Sequence, residues 1–64
     1  MIIEEFTHNK RYSGFTIRFQ NRPSMIYTYD YLLTRMNVDP LLKTLSREVK
    51  ENIQLSVFRE KNAS

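Results

Sequence analysis

Six residues constrain this chain more than any others: Phe15-Thr16-Ile17-Arg18-Phe19-Gln20 alternate strictly between apolar and polar side chains. Successive strand side chains point to opposite faces, so Phe15, Ile17 and Phe19 share one face and Thr16, Arg18 and Gln20 the other. A helix would scatter both sets. The pattern predicts a strand with one face for a core and one for solvent. Gly14 stands before it, and Asn21-Arg22-Pro23-Ser24 follows as a cluster of turn formers. Ile2 to Phe6 reads as an earlier strand, joined to it through Thr7 to Ser13, with Asn9-Lys10 as a hairpin tip.

Charge is distributed unevenly over the same region. No acidic residue lies between Glu5 and Asp30, whereas Lys10, Arg11, Arg18, Arg22 and His8 all do. Phe6, Tyr12, Phe15, Phe19, Tyr27 and Tyr29 are interleaved among them. Cations suit phosphate and aromatic planes suit bases, so this stretch fits a nucleic-acid surface. It nominates Lys10, Arg11, Arg18, Arg22 and Tyr27 as residues that bind nucleic acid or another partner. An ordinary two-faced hairpin whose acids lie elsewhere gives the same pattern. For Tyr27, Tyr29 and Tyr31, core packing with one wet edge, a protein-binding surface and base stacking are all open.

Residues 25–36 admit two readings. As one helix capped by Ser24, Met25, Tyr29, Leu32, Leu33 and Met36 share a face. As a split segment, Met25 to Tyr29 form a strand of high β propensity, and Asp30 caps a short helix over 31–36. The split reading is preferred. Asp39-Pro40 is a helix start, with Asp as N-cap and Pro at the first helical position. Leu41, Leu42, Leu45 and Val49 then make a buried stripe, which predicts a helix over 40–51. Beyond Asn52, Leu55 and Phe58 would leave that stripe. Ile53, Leu55 and Val57 align instead at period two, which predicts a strand over 53–59 and a frayed tail over 60–64.

Several functions are excluded by what is missing. One Gly cannot build a phosphate-binding glycine loop. His8, beside Asn9 and Lys10 on an expected loop, reads as an exposed histidine rather than a catalytic base. Glu4 and Glu5 are expected on opposite faces of a strand, and Glu48 and Glu51 on an exposed helix face. No enzyme, cofactor or metal is therefore expected. No apolar run is long enough to span a bilayer, and the acidic start Met1-Ile2-Ile3-Glu4-Glu5 is unlike a signal peptide. A cytoplasmic setting is the expectation, and the triplet Asn62-Ala63-Ser64 reads as chance rather than a glycosylation site. A chain of 64 residues with no Cys has a small core and no disulfide, so self-association or a partner is the expected reinforcement, with a homo-oligomer favoured.

Two families share short features with the chain. Through Tyr27-Thr28-Tyr29-Asp30-Tyr31 and Asn52-Ile53-Gln54-Leu55-Ser56-Val57, it resembles small phage-encoded proteins of the YonK type. That resemblance implies a strand, a helix and a closing strand in a phage or prophage setting, with no established biochemical role. Through Phe15-Thr16-Ile17-Arg18-Phe19 followed by two helical segments, it resembles ribbon-helix-helix repressors. That resemblance implies a ribbon in the major groove, presenting Thr16, Arg18 and Gln20 to base edges.

The combined expectation is one α+β domain over 1–59. An N-terminal hairpin and a C-terminal strand form a small antiparallel sheet, packed by a helical pair. Its function is expected to be non-enzymatic, regulatory binding, with nucleic acid as the favoured partner. The alternative is an inhibitor or adaptor acting on a host protein. The net charge of +3 does not choose between them.

Overall fold

The computed structural model describes residues 2–62. Strand β1 (Ile3–Asn9) leads through a 3-10 turn at Lys10–Tyr12 into β2 (Gly14–Phe19), and β3 (Met25–Thr28) follows. These three strands form one antiparallel sheet in the order β1-β2-β3. Helix α1 (Tyr29–Arg35), a 3-10 turn at Leu42–Thr44 and helix α2 (Arg47–Asn62) complete the chain. The α+β class and the antiparallel sheet packed by helices are as expected.

Alternation along β2 places Phe15, Ile17 and Phe19 inward, where they are buried. They meet Tyr29, Leu32 and Met36 from α1 and its end, Leu42 and Leu45 from the connection, and Ile53 and Val57 from α2. Both helices thus lie against one face of the sheet. Thr7, Thr16 and Ile26 form a cross-strand row on the other face, which no described element covers. Gly14 is demanded by proximity. A Cβ there would collide with the Tyr27 carbonyl and lie 2.9 Å from Thr28 Cα, so β2 and β3 close up only over glycine. Ser13 and Asn21 adopt left-handed backbone angles (φ 51° and 63°) at the turns on either side of β2.

The split reading of 25–36 holds, with its boundary two residues earlier. Thr28, not Asp30, is the cap: its Oγ1 accepts from the Tyr31 amide at 3.2 Å. The expected C-terminal strand does not form, because 53–59 lies within α2. The third strand comes from β3 instead. Asp39 does cap a turn, accepting from the amides of Leu41 and Leu42 at 2.9 and 3.2 Å. That turn ends at Leu45, whose ψ of 141° is extended, so the helix expected over 40–51 is broken. Ser46 restarts it by accepting from the Val49 amide at 3.2 Å. Val49, Ile53 and Val57 then recur every fourth residue and turn inward, which overrides their β propensity. The expected fraying from Glu60 is not seen up to Asn62, while Ala63 and Ser64 lie outside the described residues.

Candidate functional site

The seven nominated residues do not form one surface. Thr16 and Arg18 lie on the open sheet face, and Arg18 donates to Glu4 at 3.0 Å. Lys10 and Arg11 occupy the turn where β1 ends. Gln20 and Arg22 lie past the opposite end of β2, a strand about 20 Å long at 3.3 Å per residue. Lys10 pairs with Glu60 of α2 at 3.4 Å, and the Arg11 guanidinium lies 5.9 Å from the Tyr12 ring centre. Tyr27 sits directly across from Phe15, so it shares the inner face and not the face of Thr16 and Arg18. Phe15 and Phe19, aromatics of the basic stretch that alternation assigns to the apolar face, are core residues, and Phe6 packs against that core.

Folding also fills the charge gap. Glu4 lies far from Arg18 in sequence, yet hairpin register brings them together. A register shift between Ile3 and Glu5 interrupts the alternation, so the two glutamates are not placed as a regular strand would place them. Glu5 accepts from Ser24 Oγ at 2.6 Å. His8, expected on a loop, lies in β1 and is partly buried. Its ring stacks on Phe15 at 4.6 Å, and Nε2 lies 2.5 Å from the Tyr29 hydroxyl. That hydrogen bond and stack explain the histidine as a structural residue.

What the fold does assemble is an apolar, aromatic margin along the free edge of β3. Met25 and Ile26 are 53% and 48% exposed, one on each face of the strand. Tyr27 and Tyr31 stand 5.7 Å apart with rings tilted at 48°. Together with Thr28 and Asp39 these residues line one groove. Its shape is fixed by the Asp39 turn: the Tyr31 hydroxyl donates to Asp39 Oδ2 at 2.9 Å, while Oδ1 takes the two amides. The Leu42 amide and the Tyr31 hydroxyl hold the Asp39 carboxyl below its ordinary pKa. The bond to Asp39 pushes the Tyr31 phenol up, and burial followed by the Asp39 charge does the same for Tyr27. Both rings therefore stay neutral at physiological pH.

Residues Ser24 to Tyr29 contain no charge, and that was the readable signal of an open edge. The roles of Tyr31 and Asp39 had no such signal, because they depend on a bond across eight positions. Among the described residues no helix is long and apolar enough to cross a membrane. No protein-family model, curated protein or solved structure matches the chain. The two resemblances therefore rest on their short motifs. At those motifs, Met25–Thr28 is a strand where a ribbon-helix-helix chain would be helical, and 53–57 is helical where a YonK-type chain has its closing strand.

Proposed function

We propose that this chain is a small non-enzymatic binding protein of regulatory type whose partner is another protein. It takes up an extended segment of that partner along the free edge of β3. The observation that carries this reading is the uncharged edge itself, with Met25 and Ile26 exposed on its two faces beside the Tyr27–Tyr31 groove. An added strand would gain main-chain hydrogen bonds to β3 and place alternate side chains over Ile26 on one face and the tyrosines on the other. Tyrosine favours such contacts because it offers large area at low entropic cost. The edge is only four residues long, so the groove supplies the contacts that backbone pairing alone would lack. A nucleic-acid partner is less well supported, because Lys10 and Arg18 are paired with carboxylates and the basic residues are dispersed.

Fluorescence anisotropy distinguishes the two partners. The probes are a labelled peptide copying the sequence Gly14 to Gln20, which already pairs with β3 from its other side, and labelled single- and double-stranded oligonucleotides. The peptide should bind with weak salt dependence, and Ile26→Lys should abolish that binding. Oligonucleotide binding at low salt that falls steeply with added salt and weakens in a Lys10→Ala, Arg11→Ala variant would overturn the reading.

A further inference from the structure

Two cations border the groove beside β3. Arg22, just ahead of the strand, lines an apolar notch with Pro23, Met25, Tyr27 and Leu41, and this notch shares Met25 and Tyr27 with the groove. Arg35 follows Tyr31 by four residues, which puts it one turn further along the same side of α1. Their charges reach the two rings. Burial and then Asp39 raise the Tyr27 phenol while Arg22 opposes the shift, and the Asp39 bond and burial raise the Tyr31 phenol while Arg35 opposes it. Both arginines are exposed, and among the described residues neither forms an ion pair with a carboxylate. Asp39 is the one acid that acts on both rings, and its oxygens already accept from the Tyr31 hydroxyl and the amides of Leu41 and Leu42. One carboxylate therefore stands against two guanidinium groups, and the margin of the groove is positive.

We propose that the strand added to β3 is an acidic one: an extended segment of the partner protein with an apolar centre and Glu or Asp residues beside it, paired with Arg22 and Arg35. This rests on the reading that β3 is the docking edge and adds the chemistry of its occupant. The β3 backbone and Ile26 hold the centre of any added strand, so they give affinity without choosing among strands. The guanidinium groups choose, because each offers a fork of donors that fits a carboxylate. A strand flanked by lysine would meet like charge instead. Phosphate also suits a guanidinium, but a nucleic acid would leave the amides and carbonyls of the β3 edge unpaired.

Three labelled peptides test the proposal by anisotropy at low salt. Each carries the Gly14-to-Gln20 sequence between two Glu, two Gln or two Lys residues at both ends, so the test does not depend on strand direction. The Glu-flanked peptide should bind about fivefold or more tighter than the Gln-flanked one, as two exposed ion pairs allow, and the Lys-flanked one should bind weakest. Added salt should shrink that preference. Arg22→Gln with Arg35→Gln should remove it while leaving the Gln-flanked peptide bound as before, with far-UV circular dichroism unchanged. Equal binding of all three peptides, lost for the Gln-flanked one in Ile26→Lys, would overturn the acidic occupant and leave the docking edge standing. A preference that survives the double arginine variant would overturn it too. Binding of none of the three would overturn both readings. Displacement of the Glu-flanked peptide by a single-stranded oligonucleotide would make nucleic acid the occupant, and association of the protein alone that Ile26→Lys abolishes would make it a second copy; either result overturns the proposal.

Discussion

The two edges of this sheet face the same hazard, and only one of them is guarded. Exposed edge strands offer unpaired amides and carbonyls to any other strand. In β1 the edge carries Glu4 and Glu5, and its register shifts between Ile3 and Glu5. Charge and a bulge are standard protections against strand addition. In β3 the edge carries neither, and Met25 and Ile26 stand exposed. The acids missing from the middle of the sequence therefore matter less as a source of positive charge than as missing guards. Two of the basic residues gain acidic partners on folding, Arg18 with Glu4 and Lys10 with Glu60. The β3 edge regains nothing.

The largest expected effect comes from removing what both edges share. Phe15 is buried between Phe6 and His8 of β1 and Tyr29 beyond β3. Phe15→Ala should cost about 3–5 kcal/mol in urea denaturation, as for other large core deletions. A loss under about 1 kcal/mol would mean that the two edges do not rest on one core. Next is the turn that shapes the β3 groove. Asp39→Ala should cost about 1 kcal/mol, and Pro40→Ala less, because the first helical position needs no amide donor. Asp39→Ala should also weaken peptide binding by freeing Tyr31, an effect that anisotropy would detect.

Acidity probes the same turn. Because the folded Asp39 carboxyl titrates below its ordinary value of 3.8, the stability it contributes is present above that pH. It is lost as pH falls from there through the folded pKa. Asp39→Asn should flatten this acid limb of a melting-temperature profile. At the other extreme, burial and then Glu60 push the Tyr29 phenol above its ordinary 10.0. The stability that Tyr29 contributes is present below that pH and is lost as pH rises through the folded value. The smallest effect on stability is expected at the exposed edge residues. Ile26→Lys and Glu4→Ala should each change it by less than about 0.5 kcal/mol. Their consequences for association should be opposite, with Ile26→Lys closing one edge and a Glu4→Ala, Glu5→Ala variant opening the other. Light scattering should show aggregation only in the latter.

Local order was legible where one strong pattern had no competitor. The alternation from Phe15 to Gln20 specified β2 and its two faces, and Asp39-Pro40 specified a capped turn. The sequence misled where a residue served a second surface. Leu55 sits between Ile53 and Val57 and mimics a strand, although it belongs to the opposite side of a helix. The cap at Ser46 was readable from the serine and the following Glu48, but the longer leucine stripe hid it. For the candidate site, Tyr27 could be nominated and Tyr31 weighed as a binding surface from the sequence, whereas Met25 and Ile26 required the strand order and Asp39 its bond to Tyr31. A free edge is a property of the whole sheet. No single segment encodes which strand will lack a neighbour.

On the proposed function β3, and not β1, accepts an added strand. Amide NMR of the labelled protein during titration with the Gly14-to-Gln20 peptide tests it directly. Shifts and new exchange protection are expected at residues 25–28, with ring-proton shifts at Tyr27 and Tyr31 and no change along residues 3–9. Shifts confined to β1, or none anywhere while the peptide remains soluble in excess, would contradict it.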